Sequence, residues 1–137
     1  MSRELQPALR QDAVLHRVLV VDDHIDAGET MGMLLRAAGH DVRVVTSGTE
    51  ALETAPGFEP SVVLLDIGLP GMDGYEVARR LREQFGPRPV LLVAISGYGQ
   101  DEHRREAREA GFDHFFTKPV SIKTLREFLA APPSRGD

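Results

Sequence analysis

The chain is 137 residues long, 42% hydrophobic and 27% charged, which is room for one globular domain with its own core. Its formal net charge of −5 and pI near 5.5 argue against non-specific attachment to nucleic acid or to a membrane surface. The lack of cysteine excludes disulfides, thiolate catalysis and cysteine-ligated zinc.

Residues 1–16 read as a polar arm or linker. Their start, MSRELQPALRQD, lacks the apolar stretch of a secretory signal, and no run approaches the roughly 18–20 residues that span a bilayer. A cytoplasmic protein with no membrane partner is therefore expected. Val18–Val21 is the first apolar run of strand length. A helical segment follows, with Met31, Leu34, Leu35 and Ala38 on one face, Asp26 as its cap and Gly39 placed to end it. Val42–Val45 and Val62–Leu65 are the next two strands. Val77, Ala78, Leu81 and Phe85 then share a helical face that stops at Gly86-Pro87. Val90–Ile95 is the fourth strand. The segment after it, 100–110, offers only alanines to bury, so its helix should be weakly anchored. Phe112–Phe116 is the fifth strand. Leu125, Phe128 and Leu129 form the apolar face of the last helix, before Pro132-Pro133. Residues 132–137 read as a disordered tail.

Strand and helix thus alternate five times across residues 17–131, the order of a doubly wound α/β domain, (βα)5. The first, third and fourth strands are almost continuously apolar, as expected of a parallel sheet covered on both faces.

In such a sheet, ligands bind beyond the carboxyl ends of the strands. Polar residues gather there: Asp22 and Asp23 after the first strand (VLVVDD), Asp66 after the third (VVLLD), Ser96 after the fourth (LLVAIS) and Lys118 after the fifth (FFTKP). Three crowded carboxylates repel unless a cation sits among them, and an all-oxygen site favours Mg²⁺. A carboxylate flanked by a metal, a hydroxyl and an ammonium suits phosphoryl transfer with the carboxylate as covalent acceptor. Within the acidic pair, direct ligation fits Asp23 ahead of Asp22. His24 could bind a transition metal but reads as a solvent-facing loop histidine. Asp73 and Gly74 shape the turn after the third strand and start the helix that follows. Lys118 stands out because only two of the 16 basic residues are lysine, and a compact ammonium serves where a planar guanidinium would not.

Asp22-Asp23, Asp66 in LLDIGLPGMDGYE, Ser96 and Lys118-Pro119 together resemble the receiver (CheY-like) domain of bacterial response regulators. The resemblance implies the flavodoxin-like five-stranded parallel sheet, order 2-1-3-4-5. It implies that Asp66 accepts a phosphoryl group from a histidine kinase or a histidine phosphotransfer protein. Mg²⁺ would be held by Asp22, Asp23, Asp66 and the backbone carbonyl of Gly68. Ser96 and Lys118 would bind the phosphoryl group, Ser96 and Phe115 would move together as the switch, and the Lys118–Pro119 bond would be cis. The surface around the fourth helix, fifth strand and fifth helix would then change for an unknown downstream protein, and a homodimer is compatible with this. Gly68 and Tyr98 occupy positions that flank the path of attacking water in receivers. Such a domain is a phosphoacceptor and not an enzyme beyond slow self-phosphorylation and self-dephosphorylation. A stand-alone regulator and a receiver belonging to a hybrid kinase are both compatible with this resemblance, with output expected through a protein contact and no nucleic-acid partner. Two rivals fit less well. A phosphohydrolase using Asp66 would need a second acid where Gly68 stands, and a vestigial interaction module would not keep the full acidic set.

Overall fold

The computed structural model describes residues 15–67, 73–97 and 101–130. Valine, leucine and isoleucine runs that leave no polar face must be covered on both sides, and the sheet does this. Five strands, β1 (Arg17–Val21), β2 (Asp41–Val45), β3 (Val62–Asp66), β4 (Leu91–Ser96) and β5 (His114–Thr117), pair in parallel in the order β2-β1-β3-β4-β5. They alternate with α1 (Ile25–Ala37), α2 (Gly48–Phe58), α3 (Gly74–Phe85), α4 (Asp101–Ala110) and α5 (Ile122–Ala130). The expected (βα)5 architecture and strand order are those of the molecule.

Two cores result. Leu19, Val63, Leu65 and Leu92 point to one face of the sheet, under Ala51, Ala55 and Phe58 of α2, Val77, Ala78, Leu81 and Phe85 of α3, and Ala107 and Ala110 of α4. Val18, Val20, Val62, Leu64 and Val93 point to the other, under Leu35 of α1 and Leu125 and Leu129 of α5. Each fully buried valine or leucine contributes about 1.5–3 kcal/mol relative to exposure.

Three local expectations need correction. The buried side of α1 is Gly28, Gly32 and Leu35, while Leu34 remains 38% exposed and Met33 61%. The glycines let the helix lie directly on β2: a Cβ at Gly32 would stand 2.7 Å from a methyl of Val44. The N-cap of α1 is His24, with Asp26 inside the first turn. The fifth strand begins at His114, because Phe112 is used to end α4. The Phe112 N–H donates to the Ala107 carbonyl and the Gly111 N–H to that of Arg108, with Phe112 buried, which is a Schellman ending. The same pattern ends α1, where Gly39 and His40 donate to Arg36 and Leu35.

The helix α2 runs through Pro56, which cannot donate to the carbonyl of Leu52. Gln84 Nε2 of α3 supplies that donor at 3.1 Å. At the far end of the sheet from the acids, Arg82 fastens α3 to the β4 and β5 ends. It donates to the carbonyls of Gly111 (3.0 Å) and Val90 (2.7 Å) and pairs with the Asp113 carboxylate, which also accepts from the Leu92 N–H.

That end also carries a histidine pair. His16 Nε2 donates to the Leu129 carbonyl at 3.0 Å, so its Nδ1 accepts from the Ser61 hydroxyl at 3.1 Å. The His16 N–H donates to His40 Nδ1 at 3.0 Å. Burial lowers the pKa of both rings from 6.5; the Leu129 carbonyl partly opposes this at His16, and the charge of His16 adds to it at His40. The unfolded chain therefore binds more protons than the folded one just below pH 6.5. Stability from this pair is complete above pH 6.5 and is lost as the pH falls below it. Thermal melts between pH 7.5 and 5.5 should show the midpoint dropping on acidification, with a shallower drop in the His16→Gln/His40→Gln double variant; an equal slope in both would exclude the pair as the source.

One close approach joins the end of β3 to the start of α3. A Cβ on Gly74 would lie 2.3 Å from Ile67 Cα, and the Gly74 N–H donates to the Ile67 carbonyl at 3.3 Å. The chain thus closes on itself between the end of β3 and the start of α3. Gly74→Ala should destabilise the domain by about 2 kcal/mol or more, as overpacking against rigid backbone does; urea unfolding measures it, and an unchanged midpoint would show that the contact of Gly74 with Ile67 yields freely.

Candidate functional site

The C-terminal ends of β1 and β3 lie side by side, with Val21 opposite Leu65. The crossover from β1 leaves toward α1 and the one from β3 toward α3, on opposite faces of the sheet. In open α/β sheets such a divergence is where ligands bind. Asp66 is the last residue of β3 and is buried. Asp22 follows β1, with its N–H donating to the Val45 carbonyl at 3.1 Å, which aligns it with the rim. Asp23 comes next. Asp22, Asp23, His24 and Asp66 each offer a ligand atom, and all four atoms lie within 4.8 Å of one another.

Lys118 reaches in from the end of β5. Its Nζ donates to Asp66 Oδ2 at 2.9 Å, and its N–H donates to the Ser96 carbonyl at 2.7 Å. The Lys118–Pro119 peptide bond is cis. Burial works against the ammonium, but the hydrogen bond and charge of Asp66, with the charges of Asp22 and Asp23, outweigh it and raise the Lys118 pKa. The lysine is therefore a permanent cation at physiological pH. Three carboxylates against one ammonium still leave two negative charges. At an effective dielectric near 20, two carboxylates at this range repel by up to about 3–4 kcal/mol. A hard dication among these oxygens would cancel that repulsion, so the donor set fits a metal ion.

Ser96 ends β4, one residue past Ile95, which pairs with Asp66 across the strands. It is buried, and it faces Thr117 in the β4–β5 ladder. Phe115 lies two residues earlier on β5, opposite Ala94 and half-buried against the core under α2, α3 and α4. Arg104 of α4 places its guanidinium 4.9 Å from the ring centre of Phe115. The structure thus brings Asp22, Asp23, Asp66 and Lys118 together, with Ser96 on the adjacent strand end and Phe115 further down β5. Gly68 and Tyr98 lie outside the described residues. Asp73 caps α3, accepting from the Glu76 N–H at 2.8 Å.

His24 is a solvent-facing residue of the turn before α1, as its sequence reading has it, with 72% of its side chain exposed. Its ring turns back onto the acids, with Nδ1 3.4 Å from both Asp22 Oδ1 and Asp23 Oδ1. The signal available beforehand was its adjacency to Asp22-Asp23; what it lacked was the backbone turn. Asp22 Oδ1 accepts the His24 N–H at 2.9 Å, which folds the chain back over the carboxylates.

Residues 18–130 match the response regulator receiver domain. The chain is 36% identical over 126 residues to the DNA-binding response regulator MtrA of Mycobacterium tuberculosis, covering 92% of this chain and 54% of that protein. It is 36% identical over 120 residues to the transcriptional regulatory protein TcrA of the same organism, covering 88% of this chain and 47% of that protein. The chain therefore spans about half the length of these relatives. A 14.6 kDa protein of Leptolyngbya boryana is 32% identical over 121 residues, and there the match covers 92% of the relative. Among solved structures, the chemotaxis protein CheY4 of Vibrio cholerae superposes with a TM-score of 0.79 at 27% identity, over 84% of this chain and 96% of that one. Among the described residues no helix is long and apolar enough to cross a membrane. With its parallel sheet, its acidic rim and its lysine on Asp66, the chain belongs to the response regulator receiver domain family of two-component systems.

Proposed function

We propose that this domain is a phosphorylation switch in which Asp66 takes a phosphoryl group from the phosphohistidine of a histidine kinase or a histidine phosphotransfer protein. The observation that carries the reading is the pairing of Lys118 Nζ with Asp66 Oδ2 at 2.9 Å inside an acidic cluster within 4.8 Å. A carboxylate oxygen of Asp66 attacks phosphorus, the P–N bond breaks, and its electron pair stays on the donor imidazole. Mg²⁺, held by Asp22, Asp23, Asp66 and the Gly68 carbonyl, would neutralise the charge of the entering group. Asp22 Oδ1 already accepts the His24 N–H, which supports Asp23 as the more direct ligand of the pair.

Lys118 follows the new charge: its ammonium moves from Asp66 Oδ2 to a phosphoryl oxygen, and the Ser96 hydroxyl takes another. Because the Lys118 N–H is bonded to the Ser96 carbonyl, displacement of either residue moves the strand end that carries Phe115. Only Ala107 and Ala110 of α4 are buried among its described side chains, so this helix can shift at low cost. The changed surface of α4, β5 and α5 would then engage a downstream protein or a second copy of the domain. The domain acts in the cytoplasm, spans residues 17–131, and signals rather than turning over a substrate.

Intact-mass measurement with acetyl phosphate tests the reading. The parent chain should gain one phosphoryl group with Mg²⁺. Incorporation should fall more than about tenfold in excess EDTA, a modest loss for removing the main countercharge of a transferred phosphoryl group. Asp66→Asn should gain none, and a phosphorylated Asp66→Asn chain would overturn the assignment. Lys118→Arg separates charge from shape. Guanidinium keeps the positive charge but prefers two parallel bonds to one point contact, so modification should persist while amide NMR shifts across 96–118 on phosphorylation are lost. Parental shifts in that variant would show that Lys118 contributes charge alone.

A further inference from the structure

We infer that the acidic rim is a mixed nitrogen–oxygen metal site in which His24 supplies an imidazole ligand, giving it selectivity for transition-metal dications such as Co²⁺ and Zn²⁺ over Mg²⁺. The inference rests on the rim being the metal site of the receiver. His24 Nδ1 stands 3.4 Å from Asp22 Oδ1 and 3.4 Å from Asp23 Oδ1, and the Asp66 carboxylate completes a set within 4.8 Å. Neighbouring donors on an octahedral ion with bonds of about 2.1 Å are about 3.0 Å apart, and opposite donors about 4.2 Å. The four side chains are thus gathered closely enough to converge on one ion, with the wider pairs drawing together around it.

The backbone at His24 is bonded on both sides. The His24 N–H donates to Asp22 Oδ1 at 2.9 Å, and its carbonyl accepts from the Gly28 N–H at 2.9 Å. His24 occupies the N-cap of α1, yet its side chain makes no capping bond. The ring is thus neither spent on the helix nor buried, being 72% exposed, and an ion can enter from solvent. Mg²⁺ is a hard ion that takes oxygen and gains little from an imidazole, whereas Co²⁺, Ni²⁺ and Zn²⁺ bind it well. A ring in this position separates the two classes of ion.

Calorimetric titration of the full chain at pH 7.5, with CoCl₂ and with MgCl₂ separately, tests this on the parent, His24→Asn and Asp23→Ala. Transition ions outbind Mg²⁺ at many sites, so the deciding result is the split caused by His24. His24→Asn should weaken Co²⁺ at least about tenfold, the scale of losing one supporting group at a metal site, and should change Mg²⁺ by less than about twofold. Asp23→Ala should weaken both ions. Proton NMR of the Co²⁺ form should show hyperfine-shifted ring protons that vanish in His24→Asn. Unchanged Co²⁺ affinity in His24→Asn, with Mg²⁺ still bound by the parent, would overturn the nitrogen ligand alone. A parent chain that binds neither ion would overturn the receiver metal site and this inference with it.

Discussion

Three carboxylates at one end of a buried sheet, answered among the described residues by the ammonium of Lys118, are the constraint around which the rest of this domain is arranged. Like charges at this range repel unless water, a cation or a hydrogen-bond donor lies between them. The fold supplies one cation covalently, Lys118 on Asp66, and a hard dication would suit the carboxylates gathered beside it. Asp66 is buried, and its partner lysine is only partly exposed. The pair is therefore less screened than a surface ion pair, and a change at Asp66 is felt by Lys118.

Holding that arrangement requires a rigid frame. Strands apolar on both faces place the two cores above and below the sheet, so the polar residues can emerge only where the strands end. The frame tightens around the rim through backbone contacts: the Asp22 N–H on Val45, the Lys118 N–H on Ser96 and the return of Gly74 onto Ile67. The opposite end is closed by Arg82 and by the His16–His40 pair, which join helices α3 and α5 to the strand starts. Against this, α4 offers alanines to the core and lays Arg104 on the outer side of Phe115. The stiff parts position the charge, and α4 is the lightly packed part of the frame.

The relatives place this frame in a known family while leaving its partners open. Proteins named as DNA-binding response regulators share the receiver half of their length with this chain, and a chemotaxis protein of similar size shares nearly all of its fold. Relatives with such different names on one fold show that the fold alone does not name a partner.

Much was determined by the sequence itself. The continuous apolar runs ending in Asp22-Asp23, Asp66, Ser96 and Lys118 identified the strands and put the chemistry at their carboxyl ends, since a strand buried on both faces leaves polar residues nowhere else to go. Gly39 and Gly86 marked helix ends because local backbone conformation is read from single residues. What only the tertiary structure decided were matters of approach between distant segments. Gly28 and Gly32 are poor helix formers, and their use as the buried seam of α1 follows from how near Val44 lies, not from any local preference. Phe112 looked like strand because it is apolar and beside Phe115-Phe116, yet the end of α4 claimed it. Pro56 sits within α2 because a glutamine from the next helix satisfies the carbonyl it strands. His24 is the exposed loop residue it reads as, but the Asx turn on Asp22 that brings its ring within 3.4 Å of both acids is a matter of backbone path. Periodicity and residue type report which side chains leave water; where two backbones stop approaching one another is settled only when the whole core is packed.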